Sequence, residues 1–312
     1  MPAIDRRQFS AGLLASGAVL GAPSILRGQG VTELKLSHFV PPSHGMHTQF
    51  LEPWAREVEQ RSDGALRIQV FPGTAALGNV VRQYDQVLAG VTDIGYGLTG
   101  MPRGRFPRTS VIEMPFLTPD AGVATRTLWA LLPKYLAEEY SQVKVLALHA
   151  HNGGLIHTRD RLVRTMDDLK GLRIRTPSPA VSSMLEYLGA APVGLPPGQV
   201  YESLQKGAID GTVFPWDPVH SYRLAEVLTH HLEARAYTVP FYFVMNKGSY
   251  ERLPDELRTV IDEASGDALI SRFGRLWDEW DRPGREDAIA RRTRSPSSAR
   301  RSAWPGSLRY SP

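Results

Sequence analysis

From Glu33 onward the chain alternates short β-rich runs with amphipathic stretches, a pattern that demands helices layered on sheets. Leu34-Lys35-Leu36-Ser37-His38-Phe39 reads as a strand, followed by a Pro41-Pro42 turn and a helix with Met46, Phe50, Trp54 and Val58 four apart on one face. Leu66-Arg67-Ile68-Gln69-Val70-Phe71 alternates as a strand and stops at Pro72-Gly73. The segment from Asn79 to Leu88 is expected to be helical and closed by Gly90, with Thr92 to Tyr96 as the next strand. A helix is expected between Asp120 and Tyr140, then a buried strand from Val143 to Leu148 that ends in His149, His151 and Asn152.

At 312 residues the chain exceeds one typical domain, so two lobes or one large α/β unit are expected. A first crossing between lobes is placed after the Val143 strand. The second lobe then holds strands at Leu155 to Thr158 and Leu172 to Arg175, a helix capped by Ser178 with Pro179 in its first turn, and a helix from Gly198 to Lys206. The run from Tyr237 to Met245 returns to the first lobe, and the charged helix after Pro254 packs along it. The expected division is therefore 31–152 with 239–278 for the first lobe and 153–238 with 279–290 for the second. Residues 291–312 lose hydrophobic periodicity and are rich in Arg, Ser and Pro, as in a disordered or aberrant tail.

The sequence pI near 9.3 suggests a nucleic-acid partner until the charges are located. Residues 1–30 carry a net +2 and residues 291–312 a net +6, so the total of +4 leaves −4 on residues 31–290. That mildly acidic body argues against nucleic acid. The absence of cysteine excludes disulfides, thiolate metal sites and thiol nucleophiles. Residues 1–30 read as a twin-arginine export signal, with Arg6-Arg7 before an apolar stretch from Ala11 to Ile25 and Gly28-Gln29-Gly30 as a small-x-small cleavage pattern. Glycines and Pro23 leave that stretch short of the roughly 20 apolar residues that span a bilayer. The expected location is the periplasm.

Gly95-Tyr96-Gly97-Leu98-Thr99-Gly100 matches a dinucleotide fingerprint in letters, but Met101-Pro102-Arg103-Gly104 cannot open the helix that would bind a pyrophosphate. No phosphate-binding GxxxxGK[ST], HExxH or GxSxG motif occurs. His149 and His151 face the same way on a strand without a third ligand at metal spacing, so hydrogen bonding near the cleft is favoured over zinc. In Asp168-Leu169-Lys170-Gly171-Leu172-Arg173-Ile174-Arg175, both arginines share a strand face, and Arg175 lies at the carboxyl end before Pro177. Ligands gather beyond such strand ends, and a guanidinium fork there suits a carboxylate; an ion pair with a neighbouring acid is the plainer reading. Phe214, Trp216 and Asp217 sit where a strand meets the next helix, as core filler or as pocket walls.

Several ordered motifs between about Leu34 and Trp280 resemble the solute-binding proteins of TRAP transporters, the tripartite ATP-independent periplasmic carriers. They are Ser37-His38-Phe39 with Pro41-Pro42-Ser43-His44, Val70-Phe71-Pro72-Gly73, Gly104-Arg105-Phe106-Pro107 before Glu113-Met114-Pro115-Phe116, Asp168-Leu169-Lys170-Gly171 leading to Arg175, Leu188-Gly189-Ala190, Pro192-Val193, Tyr201-Glu202-Ser203-Leu204 and Gly207-Ala208-Ile209-Asp210-Gly211. The resemblance implies a two-lobed, type II-like periplasmic binding protein fold of α/β class, with hinge-crossing strands and a long spanning helix that close on one ligand. It also implies that Arg175 pairs with the substrate carboxylate. Leu155 stands where sialic-acid-binding members place a second arginine, and Phe214 where they place an asparagine. The expected ligand is therefore a monocarboxylate with an apolar or aromatic body, bound by Arg175, Phe214, Trp216, Phe39, His44, Asn152 and Asp217. No cofactor, metal or catalytic residue is expected, although Asp217 is the residue that would serve if a metal accompanied the ligand. Integral-membrane TRAP subunits are the expected partners. The binding component of an ATP-driven importer is the alternative, with an exported hydrolase behind it.

Overall fold

The computed structural model describes residues 30–294, with side chains through residue 291. The export signal and the Arg/Ser/Pro-rich tail expected from the sequence thus lie outside the described residues, apart from the tail's first few positions. Ten strands follow in chain order: β1 (Thr32–His38), β2 (Leu66–Phe71), β3 (Ile94–Leu98), β4 (Val143–Ala150), β5 (Leu155–Thr158), β6 (Arg173–Thr176), β7 (Ala191–Gly194), β8 (Gly211–Phe214), β9 (His230–Leu232) and β10 (Pro240–Asn246). They form two mixed five-stranded sheets, ordered β2-β1-β3-β10-β4 and β7-β6-β8-β5-β9. In the first sheet β1 runs parallel to β2 and β3, while β10 pairs antiparallel with β3 and β4. In the second, β6 is parallel to β7 and β8, and β5 is antiparallel to β8 and β9. Pro192 fits β7 because that strand lies at a sheet edge, where a missing N–H is tolerated.

The helices in chain order are α1 (Glu52–Arg61), α2 (Gln83–Leu88), α3 (Ala121–Leu131), α4 (Pro179–Tyr187), α5 (Val200–Gln205), α6 (Asp217–Ser221), α7 (Lys247–Glu251), α8 (Asp255–Glu263), α9 (Asp267–Ile270) and α10 (Phe273–Arg294). Met46, Phe50, Trp54 and Val58 are all buried on one stripe, as their spacing predicts, although the turn from Met46 to Leu51 is wound as π-helix. Trp54 Nε1 donates to the Ala264 carbonyl at 2.8 Å, which ties α1 to the end of α8. Ser178 caps α4 by accepting from Val181 N at 3.3 Å. β3 begins two residues later than its sequence pattern suggests. The glycine-rich letters at its end lead to no pyrophosphate-binding helix; the next helical residues are the 3₁₀ turn Thr109–Glu113.

The chain passes between the sheets twice, and the two passages are bonded to one another. Gly154 N donates to Tyr237 O at 2.6 Å, Ala236 N to Gly154 O at 3.2 Å, and Thr238 Oγ1 to His151 O at 2.5 Å. α10 then runs across both halves. Its first turns lie against the first sheet, where Phe273 stacks on His149 at 3.8 Å and Trp277 Nε1 donates to His149 Nδ1 at 3.2 Å. Its later turns meet the second half, where Asp281 accepts from Asp217 N at 2.8 Å and Asp287 bonds His220 at 2.7 Å. Among the described residues no helix is long and apolar enough to cross a membrane.

Gly284 marks a close approach of α10 to the second half. A Cβ there would stand 1.9 Å from Trp216 O and 2.7 Å from Trp216 C, both backbone atoms that cannot rotate away. Gly284→Ala should therefore lever α10 off α6 and cost about 1–3 kcal/mol, read as a lower urea midpoint. An unchanged midpoint would show that this docking contributes nothing to stability.

Candidate functional site

β6 carries two arginines with opposite fates. Arg173, at the solvent end, is bound bidentately by Asp210, with Nη2–Oδ1 at 2.6 Å and Nε–Oδ2 at 3.0 Å. The ion pair with a neighbouring acid thus belongs to Arg173. Arg175 is wholly buried at the carboxyl end of the strand, and no carboxylate of the described residues lies within ion-pair distance of it. Nε donates to Leu195 O at 2.9 Å, Nη1 makes a long contact with Val213 O at 3.4 Å, and the guanidinium carbon lies 4.2 Å from the Phe214 ring centre. Nη2 has no partner. Burial lowers the Arg175 pKa to about 10, which still leaves the group charged at neutral pH.

Arg175 lines a narrow cavity between the two halves. Phe39, Leu98, Phe214, Val239, Phe241 and Trp277 supply apolar wall beside the polar side chains of His44, His151 and Asp217. Tyr222 and Tyr237 also line it, and both hydroxyls are buried without a hydrogen-bond partner. Burial raises both phenol pKa values above their ordinary range, so each hydroxyl keeps its proton and can donate. Arg175, Tyr222 and Tyr237, each with a buried polar atom that has no hydrogen-bond partner among the described residues, therefore line a single cavity.

Of the seven residues expected from sequence, Arg175, Phe39, His44, Phe214 and Asp217 line this cavity. His44 Nε2 bonds Asp217 Oδ2 at 2.6 Å, linking the loop after β1 to the start of α6 across the two halves. Met46 N donates to His44 Nδ1 at 3.0 Å, which makes Nε2 the protonated nitrogen of a neutral ring. Ser221 Oγ also reaches Asp217 Oδ2 at 3.3 Å.

Asn152 and Trp216 are placed elsewhere, along a second cavity beside α10. Asn152 Nδ2 donates to Asp278 Oδ1 and Asp281 Oδ2, each at 3.0 Å, while its Oδ1 accepts from Ala121 N at 3.0 Å. That side chain joins α3 to α10. Burial raises Asp281 to about 7. Trp216 packs against His157 at 5.2 Å and donates to Glu233 at 3.2 Å.

His151 lines the same cavity as Arg175 but spends both ring nitrogens on backbone, Nδ1 on Asn152 O and Nε2 on Val239 N; burial lowers its pKa to about 4. His149 is held by Tyr96 and Trp277. Among the described residues no three His, Asp or Glu side chains are grouped to hold a metal. Tyr222 and Tyr237 were invisible to motif reading, since neither sits in a recognisable spacing and only their orphaned hydroxyls single them out.

Solved structures of the same architecture carry acids in their names. A TRAP solute-binding protein of Rhodoferax ferrireducens with copurified benzoate is 35% identical, with a TM-score of 0.81 over 84% of this chain and 83% of that one. A marine metagenome TRAP solute-binding protein, specific for aromatic acid ligands and bound to 3-hydroxybenzoate, is 36% identical with a TM-score of 0.81 over the same 84% and 83%. A Bordetella bronchiseptica TRAP periplasmic protein with bound (R)- and (S)-mandelate is 27% identical, with a TM-score of 0.77 over 84% of this chain and 90% of that one. The family model for bacterial extracellular solute-binding protein, family 7, matches residues 36–305. With the two-sheet fold and the spanning helix in place, the chain belongs to this family, the solute-binding proteins of TRAP transporters, which carry solutes and are not enzymes.

Proposed function

We propose that this protein captures an aromatic monocarboxylate outside the cytoplasm and delivers it to the membrane subunits of a TRAP transporter. The carrying observation is the uncompensated Arg175 guanidinium, which lines one cavity with two tyrosines whose hydroxyls have no partner among the described residues. A carboxylate supplies the missing charge and enough lone pairs for all three donors. Phe39, Phe214, Phe241 and Trp277 form a wall that suits an aryl ring and offers a sugar few partners for its hydroxyls. The benzoate, 3-hydroxybenzoate and mandelate named for the similar structures support the same ligand class. Arg6-Arg7 and the apolar stretch after it support export through the twin-arginine route to the periplasm.

Binding closes the two halves on the acid, since Arg175, Phe214 and Asp217 belong to the second sheet's side of the cavity and Phe39, His44 and Leu98 to the first. The closed form presents the surface that the membrane subunits read.

Removing the guanidinium strands a buried carboxylate. Arg175→Ala should weaken benzoate binding by about 2–5 kcal/mol, roughly thirtyfold to several thousandfold, measured by calorimetry on protein lacking residues 1–30. Undiminished binding by that variant would end the assignment. Tyr222→Phe and Tyr237→Phe keep the rings and remove the hydroxyls. Each should lose about tenfold to a hundredfold in benzoate affinity, as expected for a hydrogen bond to a charged group, with little change in the unfolding midpoint. Equal affinity in both variants would leave Arg175 as the sole carboxylate contact.

A further inference from the structure

Glu113 is a buried acid that the ligand cavity does not use. It ends the 3₁₀ turn after β3, in the half of the molecule built on the first sheet, and it is almost wholly enclosed. Its Oε2 accepts from Ser178 Oγ, the N-cap of α4 in the other half, so the bond crosses the cleft. Oε1 has no partner. The surfaces around this bond are pressed together: a Cβ on Gly100 of the first half would lie 2.7 Å from Ser178 Cβ and 2.8 Å from Pro177 O.

Among the described residues no cation is paired with the acid. The turn that carries it packs against β10, α3 and α4, whose titratable groups include Tyr242, Arg126 and Glu186, and none of these is bonded to Glu113. Arg108, on the same segment, is engaged with Glu138 at 2.8 Å. Tyr237 on the crossing segment feels the charges of both Glu113 and Arg175. In this structure the carboxylate is dehydrated with one hydrogen bond and no counter-ion among the described residues, and separating the halves would withdraw Ser178 and Pro177 and return water to it.

We propose that closure of the two halves takes up a proton on Glu113, which makes this residue a pH-sensitive latch on solute binding. Neutralising the acid removes the desolvation penalty that closing would otherwise impose. Burial, opposed by the Ser178 bond, sets the closed-form value at about 7 against an ordinary 4.5. The sign follows: closure is unpenalised below the ordinary value, weakens as pH rises through the window between the two, and levels off above the closed-form value. With the two values of 4.5 and about 7, closing affinity falls about thirtyfold from pH 5.5 to pH 8, and closure at pH 6 takes up about 0.9 proton.

The test uses two independent readouts. Benzoate calorimetry at pH 5.5 to 8, in buffers of different ionisation enthalpy, keeps the ligand ionised and should show the thirtyfold fall with proton uptake. Glu113→Gln keeps an acceptor for Ser178 but cannot ionise; it should flatten the profile and bind more tightly than wild type at pH 8. Persistence of the wild-type profile in that variant, or a flat profile in the wild type, overturns the latch. The second readout needs no ligand. The chain has no cysteine, so spin labels placed through Glu33→Cys and Tyr187→Cys report the separation of the halves alone. The closed population should rise from pH 8 to pH 5.5 in the wild type and stay constant with Glu113→Gln. Failure of benzoate to bind would count against the proposed ligand class, which the latch does not require, and the label distances would then decide on Glu113; distances equal at both pH values in the wild type overturn it.

Discussion

Burying the Arg175 guanidinium strips it of water without giving it a carboxylate, and the surrounding structure is arranged to make that tolerable. Leu195 and Val213 turn carbonyls toward it, the Phe214 ring covers one face, and one nitrogen is left unspent. A charge in this state supports the proposed site, because an incoming anion would gain the full interaction in a medium that screens it weakly. Arg173, two residues earlier on the same strand, shows the contrast: solvent and Asp210 satisfy it completely, so it has nothing left to offer a ligand.

The hinge puts that charge under mechanical control. Two crossing segments are bonded to one another and α10 is laid over both halves, an arrangement of the kind that hinge closure uses. Asn152 and Asp281 sit at this junction, and His44 with Asp217 joins the halves at the cavity itself. Pro283 lies inside α10 and removes the hydrogen bond that the Glu279 carbonyl would otherwise accept, immediately before the glycine that lets the helix lie on Trp216.

Most of the fold was legible from local pattern. The four-residue stripe from Met46 to Val58, the alternation of Leu66 to Phe71 and the Ser178-Pro179 cap all reflect short-range physics and appear where expected. The exact ends of β3 and the π-wound turn before α1 were not legible, since neighbouring elements set them. The site divided the same way. Arg175 stood out by its place at a strand end, while Trp216 and Asn152 lie along the second cavity beside α10, a matter of which way a loop leaves its strand. Tyr222 and Tyr237 come from separate segments and meet Arg175 only when the sheets are side by side.

By itself, the sequence determined an α/β chain without cysteine chemistry, with a mildly acidic body, an export-like start and an arginine at the carboxyl end of a strand. These are properties of composition and of neighbours a few residues apart. Only the tertiary structure decided that Arg175 has no counter-ion among the described residues while Arg173 has one, which aromatic rings wall the cavity, and that Glu113 meets Ser178 across the cleft. Desolvation and partner choice depend on residues far apart in the chain, and their effect on a charge exists only once the chain has closed around it.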